Sequence, residues 1–155
     1  MTKRNVWLTV FAVVLLGCGP AGERAGGVMQ DPTLGVSLQA PSGWRVQSAS
    51  PDMASKGDST GLILEERMLG RSFEEVVDAL TSEFGAELLS RAPRTINGHD
   101  AVEAIIHYPQ GGSKALKMYI HKEPSVIEVS FVTPVEAFDS EEAALRQALG
   151  TIAIR

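Results

Sequence analysis

The pentapeptide Gly57-Asp58-Ser59-Thr60-Gly61 has the G-x-S-x-G spacing with which hydrolases present a nucleophilic serine. That chemistry needs a strand entering a strained turn and a helix leaving it, so that the hydroxyl stands exposed beside backbone N–H donors. Here a polar stretch precedes the motif and the apolar run Leu62-Ile63-Leu64 follows, so a flexible loop is expected and a hydrolase is a distant alternative. Three histidines offer metal-ligand or proton-transfer chemistry. In the strand register derived below, His99, Glu103 and His107 share one face with Lys117, Tyr119 and His121, and His121 lies diagonal to His99 and Glu103 at ~7–8 Å. No H-x-x-x-H pair or cysteine ligand accompanies them, and a solvated mixed face without a metal is expected. Glu65 and Glu66 alternate to opposite sides of a strand, and Glu74 and Glu75 fall in a helix first turn where carboxylates favour the dipole. Neither is read as a general acid–base pair. No catalytic residue, metal ligand or cofactor is assigned.

The remaining reactive side chain is Cys18, the single cysteine of the 155 residues, so no intrachain disulfide can form. Lys3 and Arg4 precede an apolar run from Val6 to Leu16 interrupted only by Thr9, and a small residue, Gly17, stands before the cysteine. The apolar run rises ~16 Å as a helix, about half the ~30 Å hydrocarbon core, which argues against a spanning helix. The segment resembles a bacterial lipoprotein signal peptide with the lipobox Leu15-Leu16-Gly17-Cys18. That resemblance implies removal of residues 1–17, a diacylglycerol thioether on Cys18 and usually an amide-linked palmitate. Two or three acyl chains make a stable membrane anchor. Gly19 in place of an acidic residue implies sorting to the periplasmic face of the outer membrane.

Beyond residue 17 the chain keeps all 19 acidic residues and all but two of its 14 Lys and Arg, a formal charge of −7. That sign repels nucleic acid and anionic headgroups. Residues 18–32, Gly-rich and without an apolar period, read as the lipidated cysteine and a flexible tether. Residues 33–155 are enough for one domain with its own core.

Within that domain Ser72 and Glu75 form a capping box, and Val76, Val77, Leu80, Phe84 and Leu88 recur at helical spacing to about Leu89. Asp139 with Glu142 opens a second helix that Gly150 ends. The rest reads as strands: Gly35 to Leu38, Trp44 to Val46, Leu62 to Glu66, a hairpin turning at Asn97-Gly98, another at Gln110 to Ser113, a further turn at Glu123-Pro124, and a short strand at Ile152 to Ile154. Opposing Ile106 to Leu116, Ala104 to Met118 and Val102 to Ile120 collects these six with Ile127, Val129 and Phe131 on one face. Ile106, Leu116, Met118, Val129 and Phe131 are then expected to meet Val77, Leu80 and Phe84 of the first helix. The fold class is α+β, an antiparallel sheet of about six to seven strands with two packed helices.

Pro41-Ser42-Gly43-Trp44, the capped helix, Ile96-Asn97-Gly98-His99-Asp100-Ala101, and Phe138 with Leu149-Gly150-Thr151-Ile152 resemble the PsbP-like proteins, including DcrB-type bacterial lipoproteins. The resemblance spans Thr33 to Arg155. It implies a PsbP-like α/β sandwich, Trp44 as a core anchor, and a mostly non-enzymatic role: photosystem II assembly in photosynthetic lineages and envelope roles elsewhere. The expected function is therefore a lipid-anchored, non-catalytic envelope protein that binds another envelope protein, with Glu103, Lys117, Tyr119 and Glu128 facing away from the core as the interaction surface. A small-molecule or lipid-binding domain with a groove between sheet and helix is the alternative.

Overall fold

The computed structural model describes residues 24–48 and 51–155. The signal segment and Cys18 lie outside them. The described chain forms an α+β domain of eleven strands and two α-helices in three layers. The large sheet runs β1 (Arg24–Ala25), β4 (Arg45–Gln47), β5 (Met53–Lys56), β6 (Ser59–Arg67), β10 (Ser125–Pro134), β9 (Ser113–Lys122), β8 (His99–Tyr108) and β7 (Glu87–Ile96) in spatial order. A small sheet is made of β11 (Ala153–Ile154), β3 (Val36–Gln39) and β2 (Val28–Asp31). All pairings are antiparallel. The total exceeds the six to seven strands read from the sequence. The stretch expected to be tether supplies β1 and β2, because Met29 buries completely in the core.

Helix α1 (Phe73–Ser82) begins at the expected capping box: the Glu75 N–H donates to Ser72 Oγ at 3.3 Å and the Ser72 N–H donates to Glu75 Oε2 at 2.7 Å. It ends well before Leu89. Phe84 and Gly85 adopt φ of 57° and 68°, which turns the chain out of the helix, and Leu88 belongs to β7 instead. Helix α2 (Val135–Leu149) starts directly from Pro134, one turn earlier than the Asp139 box expected. Pro134 offers no side-chain cap, and the first N–H of the helix, that of Val135, instead donates to the Gly112 carbonyl at 3.0 Å.

Both faces of the large sheet are covered over its central strands β8, β9 and β10. On one side Val76 and Val77 of α1 pack over Val102, Ala104, Ile106, Tyr119 and Val126. On the other, Phe138, Leu145 and Leu149 of α2, with the small sheet, pack on Leu116, Met118, Ile120, Ile127, Val129 and Phe131. The β9–β10 register agrees with the sequence reading, with Leu116 opposite Phe131 and Met118 opposite Val129. The β8–β9 register is shifted by one residue: Ile105, not Ile106, lies opposite Leu116, and Val102 lies opposite Tyr119. The cause is Pro109, which cannot donate to the ladder and instead opens a short 3₁₀ turn ending at Gly112 in the left-handed region. Ile106 therefore joins the α1 core, and Leu116, Met118, Val129 and Phe131 join the α2 core.

Phe131 is the centre of the larger core. Its ring meets Trp44 edge-on at 5.6 Å between centroids and lies over Gly61, its cross-strand neighbour. A Cβ at Gly61 would stand 2.8 Å from that ring, so only glycine leaves the ring its place. Phe131→Ala is expected to destabilise the domain by ~3–5 kcal/mol through lost burial and a residual cavity. Gly61→Ala should cost ~1–3 kcal/mol through overpacking. Urea unfolding measures both, and a near-neutral Phe131→Ala would contradict this packing.

Candidate functional site

The four residues expected to form an outward surface do not share one. Tyr119 is completely buried and Glu128 nearly so, and the shifted β8 register places Glu103 on the other side of the sheet. Both faces are core, so residues opposite one core enter a second.

Lys117, Tyr119 and Glu128 converge beneath α1. Lys117 Nζ lies 2.7 Å from Glu128 Oε1, with only 11% and 7% of the two side chains exposed, and the ammonium stands 5.8 Å from the Tyr108 ring centroid. Burial pulls the Lys117 pKa down, but the charge and hydrogen bond of Glu128, with Tyr108 beside them, outweigh it and leave the pKa above the usual lysine value. Burial first, and the Glu128 carboxylate second, push the Tyr119 phenol far above its ordinary range, so it stays a neutral hydroxyl. That hydroxyl is buried without a hydrogen-bond partner.

Glu103 is instead a bridge. It accepts hydrogen bonds from Arg94 on β7 at 3.1 Å and from Arg146 on α2, which also reaches Glu142 at 2.7 Å. Glu141 of α2 does the same on the same face, toward β5, taking Lys56 and the Trp44 indole N–H, the latter at 3.2 Å. The Lys56 hydrogen bond, opposed by burial and aided by Trp44, holds Glu141 below the usual carboxylate range. Trp44 is thus the fully buried anchor that was expected.

The other candidate residues are separate. Gly57-Asp58 is the two-residue turn between β5 and β6, and Ser59 is a buried strand residue opposite Lys56 with no helix behind it, so it lacks the elbow geometry a nucleophile requires. His121 stacks on Phe73 at 5.1 Å on the α1 side, while His99 Nδ1 pairs with the His121 carbonyl at 3.0 Å and His107 with Glu87 at 3.0 Å. Among the described residues no three His, Cys, Asp or Glu side chains come together as a metal site. Glu65 accepts from Ser125 and Glu66 from Arg71 on opposite faces, and Glu74 pairs with Arg91. The interfaces between helix and sheet, where a ligand groove was the alternative, are filled by the two cores. Open clefts of about 320 and 260 Å³ lie instead around the β2–β3 connection, lined by residues such as Gln30, Asp31, Leu34 and Glu65.

What the sequence reading missed is on the surface. Leu69 and Phe84 stand at the two ends of α1, each 84% exposed and each with a left-handed backbone, φ 50° and 57°. Phe84 had been expected in the core. The signal was available in the Leu69-Gly70 and Phe84-Gly85 pairs, which share the X-Gly pattern of the Asn97-Gly98 turn.

Neither a family model nor a curated protein sequence matches the chain. Solved structures do. The fold is similar to that of cyanobacterial PsbP (CyanoP) from Synechocystis, with a TM-score of 0.58 and 13% identity, covering 91% of this chain and 99% of that one. A Pseudomonas aeruginosa protein of unknown function, suggested to be a regulator, aligns with a TM-score of 0.55 and 20% identity over 77% of this chain and 91% of its own. A Bacteroides thetaiotaomicron protein gives 0.51 at 13% identity, with 85% of this chain covering 49% of that one. The domain has a PsbP-like fold.

The buried pair yields a sharp expectation. Lys117→Met strands the Glu128 carboxylate and should cost ~3–5 kcal/mol, whereas the double variant with Glu128→Leu should recover most of it. Tyr119→Phe removes an unpaired hydroxyl and should be neutral or stabilising. Because the Lys117 pKa is raised on folding, its contribution is full below ~10.4 and is lost as pH rises through the folded value, so Glu128→Gln should lower the pH of alkaline unfolding. Equal stability of Lys117→Met and the parent in urea would refute the pairing.

Proposed function

We propose that this chain is a lipid-anchored, non-catalytic cell-envelope protein whose PsbP-like domain acts by binding another protein, in the assembly or stability of a membrane complex. Cys18 carries the lipid, and the domain faces the periplasm from the outer membrane. No cofactor and no nucleic acid enter this function. The observation that carries the reading is how the polar side chains are used. Glu103 ties β7 and β8 to α2, Glu141 ties α2 to β5 and Trp44, and Lys117 with Glu128 ties β9 to β10, so each cluster is consumed in joining elements. Such a domain is a rigid body that presents a surface. The likeness to a cyanobacterial PsbP over nearly all of that protein's length, and the export-type layout of residues 1–18, support the same reading.

Cross-linking in intact cells followed by affinity purification tests it. A partner enriched over an unrelated lipoprotein is expected, and no enrichment would remove the proposal's support. The anchor has its own test: Cys18→Ser should leave an unlipidated precursor that keeps residues 1–17, since the thioether precedes cleavage at lipoprotein sites. Mass spectrometry finding a mature wild-type N-terminus unmodified at Cys18 would overturn it.

A further inference from the structure

We infer that the surface framed by Leu69 and Phe84 at the two ends of α1 docks a basic, apolar-faced segment of a partner protein. The inference rests on the protein-interaction reading above and names the surface that would serve it.

Both residues occupy the first central position of a tight turn. Leu69 and Gly70 have φ of 50° and 82°, with the Arg71 N–H donating to the Met68 carbonyl at 2.9 Å. Phe84 and Gly85 have φ of 57° and 68°, with the Ala86 N–H donating to the Glu83 carbonyl at 3.0 Å. Gly, Asn and Asp suit that position, and Asn97 fills it in the β7–β8 hairpin at φ 50°. A bulky side chain there is strained, and these two are 84% exposed, so packing returns almost nothing for the strain. Two large apolar groups are therefore held in water by turns that asparagine would make more easily. Leu88, 44% exposed, adds to the same side, since it lies opposite Ile106, which faces α1.

Charge decides the occupant. Between the two turns α1 exposes Glu74 and Asp78, each side chain about two-thirds exposed, and Glu83 follows, while Arg91 reaches the first two from β7. A negative strip between apolar ends opposes an anionic bilayer and opposes a second copy presenting the same strip. It complements a protein segment whose apolar side chains are flanked by Lys or Arg.

The test uses the full chain and the Leu69→Asn/Phe84→Asn double variant, which keeps every charge and suits both turns. The probes are an amphipathic peptide of leucine and lysine, its glutamate-for-lysine counterpart, and vesicles of phosphatidylethanolamine with phosphatidylglycerol. The lysine peptide is expected to bind the parent and to lose at least ~10-fold in affinity with the double variant at equal salt, since two large apolar contacts to the peptide are removed. The variant's Tm is expected to equal or exceed the parent's, since two strained turns are relieved. Unchanged affinity in the variant, equal binding of the glutamate peptide, vesicle binding that requires Leu69 and Phe84, no binding of the lysine peptide, or a lowered Tm would each overturn the docking site. In the cellular cross-linking experiment, undiminished partner recovery by the double variant defeats this surface alone, whereas no recovery by the parent defeats the broader reading.

Discussion

Because α1 closes one face of the large sheet and α2 with the small sheet closes the other, β10 must serve two cores at once. Ile127, Val129 and Phe131 fill the α2 side, and Val126 the α1 side, together with Glu128 and Ser130. A carboxylate in that position has to bring its own counter-charge, and Lys117 supplies it from the neighbouring strand. Such a pair is not an efficient source of stability, since two apolar residues of similar volume commonly hold a core as well or better. What it does provide is register. A one-residue slip of β9 against β10 would send Lys117 into the apolar α2 core and leave both charges buried and alone, an arrangement far worse than the loss of a few van der Waals contacts. In a sheet whose two faces are both apolar, hydrophobic pattern alone gives little preference between the two parities, and one ion pair breaks the tie.

That same two-sidedness decides what could be read from the chain. The capping box of Ser72 and Glu75, the Asn97-Gly98 hairpin and the β9–β10 pairing were legible, because each is a local rule with one outcome. The β8 parity was not. Ala101, Val102, Ala104, Ile105 and Ile106 are apolar at both parities, so the choice fell to the turn, where Pro109 leaves the ladder and the connection runs from Pro109 to Gly112 instead of from Gln110 to Ser113. The parity of β8 also decides Glu103, which lies opposite Met118 on the α2 side and not on the face of Lys117. The burial of Tyr119 and Glu128 was invisible for the related reason that an alternating strand reads as half-exposed unless a second layer is known to cover it. β2 was hidden by its brevity and by the glycines before it, although Met29 is fully buried.

The edges of the large sheet show where recognition is discouraged. β7 is a ten-residue edge strand with nearly every residue exposed, the sort of template on which foreign strands add. Its pairing is irregular between Leu88 and Ser90, Pro93 offers no N–H in mid-strand, and Arg91 and Arg94 place charge along it. The opposite edge, β1, is two residues long. A partner that extended the sheet would find little to pair with at either end.

The α1 layer is different in kind. The α2 side is bound to the sheet by a large apolar core and by Glu103 and Glu141, whereas α1 is a short helix joined at both ends through left-handed turns. Turn chemistry there departs from the local rule that the Asn97-Gly98 turn obeys, and it departs twice, in the same direction, toward exposed apolar bulk. In a chain whose other local preferences agree with its fold, conflicts of this sort concentrate where something besides stability is being selected. Asparagine at either position would relieve the backbone and remove apolar surface from water, so folding supplies no reason for Leu69 or Phe84. The proposed docking of a basic, apolar-faced segment supplies one, because it would bury both side chains.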